Sequence, residues 1–364
     1  MVVDAGEPQI GERQPSQAGS GLVGADRALL HVGQQGLEGG VVHGPHYPRS
    51  TMVGTRVGFL GPPGSFGEEA LMTQADLAAG ELVSMQSMTE ILAEVEAGTI
   101  HAGFVAIENS IEGTVNSVID ALVFDCHVLV QREVEFEVTQ NLLVPAGTEL
   151  ADITRVVSFP NALGQCRRWV GTNLPGAELV AATSTSEAAR MVAAGELGGT
   201  SAALGSALAA KIHGLDVLVS HVEDHGGNMT RFVLVSSPGP GRIPAPTGHD
   251  KTTVVCFQRA NEPGSLAAIL GLFKAFDINL CKLESRPAKT GLGDYCFVID
   301  FEGHIADEVV AECLRDLHTS LAELKYLGSY PAAGEDGHAI RRDAQEKWRE
   351  ADAWINDLRR WIRR

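Results

Sequence analysis

The chain has 364 residues, enough for two or three domains, and 44% of them are hydrophobic, as in ordinary globular proteins. A formal net charge of −18 argues against nucleic acid or an anionic membrane as the partner, and no apolar run reaches the roughly 18 residues of a membrane span. None of the six cysteines forms a CxxC pair, which argues against a zinc site or a disulfide framework. We therefore expect buried thiols in a cytoplasmic protein.

The first 51 residues predict a disordered extension, because they are rich in Gly, Gln, Pro and Ser and show no sustained period. The pattern changes in the segment that follows. Residues 56–60 predict a strand and residues 61–64 a turn. Ser65 and Glu68 then have the spacing of a capping box that opens a helix.

Residues 52–236 predict an α/β domain with a mostly parallel sheet, because strand and helix patterns alternate along the chain. Strands are predicted at 102–107, 155–158, 178–182, 201–204 and 231–235. Helices are predicted at 89–97, 114–122, 162–170, 186–194 and 206–213. Residues 131–144 predict extended crossover strands, so we expect two lobes with a ligand cleft between them.

A smaller domain is predicted at the C-terminal end. Residues 237–250 are rich in Pro and Gly and predict a linker. Residues 251–330 predict the order β-α-β-β-α-β, which is that of a ferredoxin-like fold. Residues 331–364 predict a tail that ends in a helix, with apolar residues at heptad-like spacing.

Chemistry is concentrated in four segments, at 61–66, 107–114, 158–162 and 228–232. The first three of these join a strand end to a helix start, where open α/β sheets bind ligands. Structural explanations remain open for each of them. Ser65 would simply cap its helix, and Asn109 and Ser110 would satisfy loop backbone groups.

Arg231 has its own structural alternative. It would form an ion pair between the lobes with a carboxylate such as Glu112 or Asp224. His221 and His225 are four positions apart, but their loop-like surroundings argue against a metal pair.

These segments resemble the prephenate dehydratase family. The resemblance rests on Gly-Pro-Pro-Gly-Ser-Phe at 61–66, Glu-Asn-Ser-Ile-Glu-Gly at 108–113 and Asn-x-Thr-Arg-Phe at 228–232. Glu-Pro-Gly-Ser-Leu at 262–266 and Glu-Ser-Arg-Pro at 284–287 are similar to the effector motifs of the family's ACT domain. The likeness spans about residues 55–330. It implies a two-lobed, periplasmic-binding-protein-like catalytic domain followed by a βαββαβ ACT domain.

The resemblance also implies the reaction, which is the decarboxylative dehydration of prephenate to phenylpyruvate without a cofactor or metal. It implies L-phenylalanine as effector and a homodimer or homotetramer as the assembly. By resemblance, the catalytic residues are Thr230, Asn109, Ser110 and Arg231. The substrate-binding residues are Ser65, Glu108, Asn161 and Phe232. The effector-binding residues are Gly264, Ser265, Leu266, Asn279, Leu280, Glu284 and Ser285.

One segment departs from the family pattern. Many members have Ser-His-Pro-Gln where this chain has Ser-Phe-Pro-Asn at 158–161, so Asn161 keeps an amide on a shorter side chain. Two other functions fit the same sequence. An arogenate dehydratase would act on the amino counterpart of prephenate, and a two-lobed sensor would bind a small molecule without turnover.

Overall fold

The computed structural model describes residues 54–289, 291, 293–333, 350, 351 and 353–361. The predicted disordered extension at 1–51 and the tail at 334–349 lie outside these residues. Residues 350, 351 and 353–359 are helical, at the place where the tail predicts a helix.

The first lobe contains a six-stranded mixed sheet covered by short helices. Its elements are β1 (Arg56–Leu60), α1 (Phe66–Met72), α2 (Ala75–Ala78), β2 (Glu81–Met85), α3 (Met88–Glu96), β3 (Ala102–Asn109), β4 (Gly113–Thr114), α4 (Asn116–Asp120), a π-helical turn (Ala121–Asp125), β5 (Leu129–Glu137) and, after the second lobe, β11 (Met229–Ser236). The strand order is β2-β1-β3-β11-β5, and β4 pairs with β3. The side chains of Ser65 and Ser87 cap α1 and α3 by accepting backbone N–H bonds.

The second lobe contains a five-stranded sheet. Its elements are β6 (Asn141–Val144), a 3-10 turn (Leu150–Asp152), β7 (Arg155–Ser158), α5 (Pro160–Gln165), α6 (Arg167–Asn173), β8 (Glu178–Ala181), α7 (Thr185–Ala193), β9 (Ser201–Gly205), α8 (Ala207–His213) and β10 (Asp216–Val219). The strand order is β10-β6-β9-β7-β8. The chain passes between the lobes twice, after β5 and before β11. The two passages are joined by a bond from Val138 N to Asn228 O of 2.8 Å.

The C-terminal domain is a four-stranded antiparallel sheet with two helices on one face. Its elements are β12 (Asp250–Phe257), α9 (Ser265–Ala275), β13 (Leu280–Pro287), β14 (Tyr295–Glu302), α10 (Glu308–Ser320) and β15 (Glu323–Pro331). The strand order is β13-β14-β12-β15. The opposite face of this sheet packs on the first lobe, where Val255, Val298 and Leu327 share a buried cluster with Val105 and Val233.

The predicted fold class is confirmed, since the chain forms two α/β lobes followed by a βαββαβ domain. The expectation of mostly parallel sheets is wrong. β11 runs antiparallel to both β3 and β5, and β6 runs antiparallel to β9 and β10. The physical reason is that the chain crosses between lobes in extended form, so strands enter each sheet without a helical crossover to set them parallel.

Candidate active site

Asn109 and Thr230 lie side by side on neighbouring strands. β3 and β11 are antiparallel, and their register pairs Asn109 with Thr230 and Glu108 with Arg231. Successive side chains of a strand point to opposite faces of its sheet. Asn109 and Thr230 therefore share one face, and Asn109 Nδ2 donates to Thr230 Oγ1 at 2.8 Å. Glu108 and Arg231 project from the other face.

The loop after β3 fixes the orientation of the Asn109 amide. Asn109 Oδ1 accepts the backbone N–H groups of Ile111 at 3.0 Å and Glu112 at 2.9 Å. Only the oxygen of the carboxamide can accept two N–H bonds, so the nitrogen must face Thr230. Asn109 thus satisfies its own loop, as the structural alternative holds, and also presents an N–H donor to the Thr230 hydroxyl.

This donor determines the direction of the Thr230 proton. Thr230 is 7% exposed, and its oxygen already receives a hydrogen from Asn109. Asn109 is the hydrogen-bond partner of that oxygen among the described residues, so the hydroxyl proton is left to be donated elsewhere. A bound molecule on this face would meet a buried O–H donor whose oxygen is polarised by an amide.

Two further polar residues extend this cluster across the lobes. Asn228 Oδ1 accepts from Asn109 Nδ2 at 2.7 Å, and Asn228 Nδ2 donates to Gln165 Oε1 at 3.3 Å. Gln165 belongs to the second lobe, and its Nε2 donates to Glu112 Oε1 at 3.3 Å. Sequence reasoning gave neither residue a role, although Gln165 lies four positions after Asn161 within a predicted helix.

Ser110 fastens the loop to the start of β11. Its backbone N–H donates to Met229 O at 2.8 Å, and its hydroxyl accepts from Met229 N at 3.0 Å. The hydroxyl also lies 3.4 Å from Gly227 O. The structure therefore brings Ser110 next to the Asn109 and Thr230 pair, with its side chain bonded to backbone.

The turn at 61–64 packs directly against the second lobe. Gly64 O accepts the Ser206 hydroxyl at 2.7 Å, and the Ser186 hydroxyl donates to Pro63 O. Gly64 has a φ of +87°, and a Cβ added there would lie 3.0 Å from Ala209 Cα. Only glycine combines this backbone conformation with so close an approach of the two lobes.

Glu69 adds a second contact between the lobes. Its Oε1 accepts the backbone N–H of Leu208 at 3.1 Å, at the start of α8. Burial raises the pKa of this carboxyl, and the hydrogen bonds from the α8 backbone partly offset that rise.

The other residues predicted to bind substrate differ in their burial and in their contacts. The Ser65 hydroxyl caps α1 and donates to Leu60 O at 2.8 Å, so both of its bonds are structural. Phe232 is buried and stacks on Phe104 with ring centroids 4.9 Å apart. Asn161 is exposed in the first turn of α5, next to the carboxyl end of β7.

Arg231 is held on the face opposite to Thr230. Its guanidinium lies 2.6 Å from Asp300 and 2.5 Å from Glu133, and it donates to the Tyr330 hydroxyl at 3.2 Å. Burial alone would lower the pKa of Arg231, but Asp300, Tyr330 and Glu133 together raise it well above its ordinary value. Arg231 therefore stays positively charged, and the carboxylates of Asp300 and Glu133 already balance that charge. The structure does not bring it to the side of the sheet that carries Thr230.

The ion pairs of Arg231 also correct its predicted structural alternative. Its partners are Glu133, Asp300 and, at 3.7 Å, Glu108, not Glu112 or Asp224. Asp300 belongs to β14 of the C-terminal domain, so the pair joins two domains rather than two lobes.

Glu108 takes part in the same junction. Its carboxylate lies 3.1 Å from Lys282 Nζ on β13. Thr114, which pairs with Glu108 across β3 and β4, donates to Glu284 Oε2 at 2.8 Å. Both ends of the loop that carries Asn109 are therefore held by one strand of the C-terminal domain.

Comparisons with known proteins identify the family. The family model described as Prephenate dehydratase matches residues 57–240, and that of the ACT domain matches residues 252–319. A prephenate dehydratase from Mycolicibacterium vanbaalenii is 39% identical over 316 residues, covering 83% of this chain and 98% of the relative. The chain belongs to the prephenate dehydratase family.

Solved structures give the same fold. The crystal structure of the prephenate dehydratase from Arthrobacter aurescens in complex with L-Phe is 35% identical, with a TM-score of 0.77, and covers 84% of this chain and all of that one. GqqA, described as a novel type of quorum quenching acylase, is 30% identical with a TM-score of 0.69 and covers 76% of this chain and 98% of its own. The prephenate dehydratase fold thus occurs in a protein described by a different activity.

The predicted effector residues of the ACT domain divide between two faces of its sheet. Gly264, with a φ of +88°, precedes α9, and the Ser265 hydroxyl bonds to Gln258. Leu266 and Leu280 pack against the core beneath the helices. Asn279 donates to Glu302 at 3.0 Å just before β13.

A register shift in β13 places Glu284 away from that group. The shift lies between Leu280 and Lys282, after which Ser285 pairs with Phe297 on the helix side and Glu284 pairs with Val298 on the catalytic side. Glu284 accordingly contacts Thr114, Lys282 and Arg286. The structure brings Gly264 and Ser265 together at the start of α9, but it turns Glu284 towards the catalytic domain.

Within the part of the chain that the structure describes, no helix has the length and apolar character needed to cross a membrane.

Proposed function

We propose that this chain converts prephenate to phenylpyruvate, with Thr230 as the group that assists the departure of hydroxide. The observation that carries the proposal is the bond from Asn109 Nδ2 to Thr230 Oγ1, which leaves the hydroxyl proton of a buried threonine to be donated. Membership of the prephenate dehydratase family supports the same assignment.

The reaction requires that prephenate be held in position and that one hydrogen-bond donor face the departing hydroxyl oxygen. The bond between the ring and its carboxylate breaks, its electron pair moves through the ring, and the bond to the hydroxyl group breaks at the opposite carbon. Carbon dioxide leaves, and the departing hydroxide, hydrogen-bonded by Thr230, takes up a proton from solvent to become water. Aromatisation drives the change, so a donor aimed at the departing oxygen stabilises the charge that develops there.

Thr230 acts by hydrogen bonding rather than by full proton transfer, because a threonine hydroxyl is a weak acid. The N–H of Asn109 strengthens this donor, since hydrogen bonds in a chain polarise one another. Ser110 holds the loop and β11 in register, so it keeps Asn109 and Thr230 at bonding distance.

The substrate carboxylates need donors other than Arg231, whose charge is already neutralised by Asp300 and Glu133. We place the pyruvyl carboxylate near the start of α1, beside Ser65. Backbone N–H groups at a helix start favour an anion there. On α5 of the second lobe, Gln165 is bonded to Asn228 and Glu112, and Asn161 lies exposed one helical turn before it, so Asn161 is the residue of α5 that is left for the substrate.

The test is an assay of the purified full-length chain with prephenate, following the absorbance of phenylpyruvate at high pH. Turnover in wild type and its loss in Thr230→Val support the proposal. A chain that binds prephenate without producing phenylpyruvate would instead be a two-lobed sensor.

Arogenate dehydratase is the second candidate, because arogenate differs from prephenate only in an amino group that replaces the keto group. The two substrates are compared directly by kcat/KM on the same preparation. A higher value for arogenate would replace prephenate as the substrate without changing the role of Thr230.

The likeness to GqqA raises amide hydrolysis as a third activity to measure. An acylase needs a nucleophile activated by a neighbouring base. Among the described residues, the partner of the Thr230 oxygen is the Asn109 amide, which donates to it and cannot withdraw its proton. Thr230 is therefore not expected to act as an acylase nucleophile, and release of amine from an N-acyl amide is measured alongside turnover of prephenate.

We further propose L-phenylalanine as effector, bound at the start of α9 near Gly264 and Ser265. The related enzyme from Arthrobacter aurescens is described in complex with L-Phe, and the ACT domain of this chain offers the exposed turn at 261–264 before that helix. Calorimetric titration of the full chain with L-phenylalanine tests this proposal.

A homodimer or homotetramer fits the surface of the ACT domain. Ala267, Ala268 and Gly271 of α9 are exposed, and Leu283 on the edge strand β13 is 43% exposed. An apolar helix face beside an open sheet edge favours pairing with a second copy. Light scattering after gel filtration would show at least twice the mass of the chain, and a monomer at micromolar concentration would overturn the proposal.

We propose the cytoplasm as the location. All six cysteines are free thiols and five of them are buried, which suits a reducing compartment. Cell fractionation tests this directly.

A further inference from the structure

Asn228 lies at the junction of the two lobes and is 3% exposed. It directly precedes β11, and its backbone oxygen accepts from Val138 N of the outgoing passage at 2.8 Å. Both passages of chain between the lobes therefore meet at this residue. Asn228 thus lies where a change in the angle between the lobes would alter its contacts.

The hydrogen bonds around Asn228 can be assigned without ambiguity. Asn109 Oδ1 is fixed as an acceptor by two backbone N–H groups, so Asn109 Nδ2 must meet the oxygen of Asn228. The nitrogen of Asn228 then donates to Gln165 Oε1. The nitrogen of Gln165 in turn donates to Glu112, whose own backbone N–H bonds to Asn109.

The result is a closed ring of hydrogen bonds that spans both lobes and contains Asn109, Asn228, Gln165 and Glu112. Each residue of the ring donates one hydrogen bond to the next residue and accepts one from the residue before it. Asn109 Nδ2 has two hydrogens, one for Asn228 and one for Thr230. The bond to Asn228 therefore fixes the plane of the amide that polarises Thr230. Gln165 reaches Asn228 only when the second lobe lies against the first.

We propose that Asn228 is a positioning residue that links the approach of the second lobe to the orientation of Asn109 and of the Thr230 hydroxyl. This inference rests on the proposed dehydratase function. Asn228 does not touch the reacting atoms in this assignment, because its carboxamide is occupied by Asn109 and Gln165. Its loss should lower kcat and leave the binding of prephenate nearly unchanged.

The test compares Asn228→Ala, Asn228→Asp, Gln165→Ala and the double variant Asn228→Ala with Gln165→Ala in the full-length enzyme. We expect Asn228→Ala to lower kcat by about 10-fold to 10²-fold, the scale of a slight misplacement of catalytic groups, with KM changed less than about threefold. Asn228→Asp keeps the acceptor for Asn109 and loses the donor to Gln165, so it should fold normally and give an intermediate kcat.

The double variant separates positioning from general damage. If Asn228 and Gln165 act through one ring, the double variant should be no slower than about the slower single variant. Thr252→Val is the matched control, because this buried hydroxyl bonds to Gly303 and Ser329 within the ACT sheet. It should lower the midpoint of urea unfolding while kcat stays near that of wild type.

The outcomes distinguish this inference from the proposed function. Wild-type enzyme without turnover of prephenate overturns both of them. Wild-type turnover with an unchanged kcat in Asn228→Ala and Asn228→Asp overturns the inference alone. Strictly multiplicative losses in the double variant, or losses that appear in KM rather than kcat, overturn it as well.

Discussion

Thr230 is the residue on which the proposed chemistry depends most directly. Thr230→Val keeps the shape of the side chain and removes the hydroxyl, so kcat should fall by at least about 10²-fold. Thr230→Ser keeps the hydroxyl and should retain most of the activity. The measurement is phenylpyruvate formation at saturating prephenate, together with urea unfolding of each variant.

The valine variant should fold almost as well as wild type, because Asn109 Nδ2 keeps Asn228 as an acceptor after the hydroxyl is lost. Wild-type turnover in Thr230→Val would remove Thr230 from the mechanism. An equal loss in the serine and valine variants would point to packing rather than to the hydroxyl.

For Arg231 we predict an effect on stability rather than on catalysis. Arg231 is adjacent to Thr230 in the sequence, but its contacts lie outside the cleft. Lysine keeps the charge but cannot bridge Asp300, Glu133 and Tyr330 with a fork of donors. We expect Arg231→Lys to lower the free energy of unfolding by about 1–3 kcal/mol while KM for prephenate changes less than about threefold.

Arg132→Lys serves as the control for Arg231→Lys. Arg132 is also buried and pairs with Asp76 at 2.7 Å on the first lobe. A rise of KM by about 10-fold or more in Arg231→Lys alone would show a substrate carboxylate ligand, since a charged hydrogen bond contributes about 1.5–3 kcal/mol. That result would restore the role that the sequence resemblance implies.

At this scale the sequence predicted segments that the structure brings together, but not the side of the sheet to which each side chain points. Because side chains alternate along a strand, the sequence predicts that Thr230 and Arg231 point to opposite faces of the sheet. Which side is covered by another domain depends on contacts between β11 and β14, some 70 positions apart along the chain. No local pattern contains that information, so the partners predicted for Arg231 were the wrong carboxylates.

The contact between the lobes at α1 and α8 yields a prediction about pH. Burial raises the pKa of Glu69 above its ordinary 4.5, so between the two values the folded chain binds more protons than the unfolded chain. This carboxyl therefore opposes folding at pH 7, and the cost is relieved as the pH falls through its raised pKa. Glu69→Gln keeps an acceptor for Leu208 N and removes this titration.

The measurement is urea unfolding of wild type and Glu69→Gln at about pH 4.5, 5.5 and 7, a series that rises from the ordinary pKa of the carboxyl. We expect the variant to gain most, relative to wild type, at the highest of these pH values. A stability difference that is constant across the series would mean that Glu69 titrates alike in the folded and unfolded chains.

At the scale of elements, most predicted helices and strands agree with the structure because periodicity and caps are local, but the helix predicted at 162–170 is divided at Cys166 into α5 and α6. β7 at Arg155–Ser158 has the predicted bounds, and β9 at Ser201–Gly205 is one residue longer than predicted. The faces of β13 were not predictable in the same way. A single register shift after Leu280 reverses the sides of all later residues, and nothing in its sequence marks the shift.

At the scale of the whole molecule, regulation requires two states that phenylalanine distinguishes and a route between its site and the cleft. The structure offers such a route through β13. Lys282 and Glu284 on this strand hold Glu108 and Thr114, which flank the loop that carries Asn109. The start of α9, where we place the effector, belongs to the same domain but to the other face of its sheet.

Two variants separate binding of the effector from its transmission. Gly264→Val places a β-branched residue at a φ of +88°, where no neighbouring atom lies within 4 Å of the new Cβ, so its effect is backbone strain at the turn before α9. Glu284→Gln keeps an acceptor for Thr114 and removes the ion pairs with Lys282 and Arg286. Each should leave basal dehydratase activity within about twofold of wild type.

Gly264→Val should weaken phenylalanine binding by calorimetry and shift the inhibition curve by the same factor, about 10-fold or more, because both report one site. Glu284→Gln should bind phenylalanine with nearly the wild-type affinity and yet show a smaller maximal inhibition, because the coupling free energy, typically about 1–3 kcal/mol, is lost between the sites. Calorimetric binding and inhibition, measured on the same preparation of each variant, separate loss of effector binding from loss of its transmission. If Glu284→Gln loses binding as severely as Gly264→Val, Glu284 is an effector ligand, and transmission through β13 is wrong.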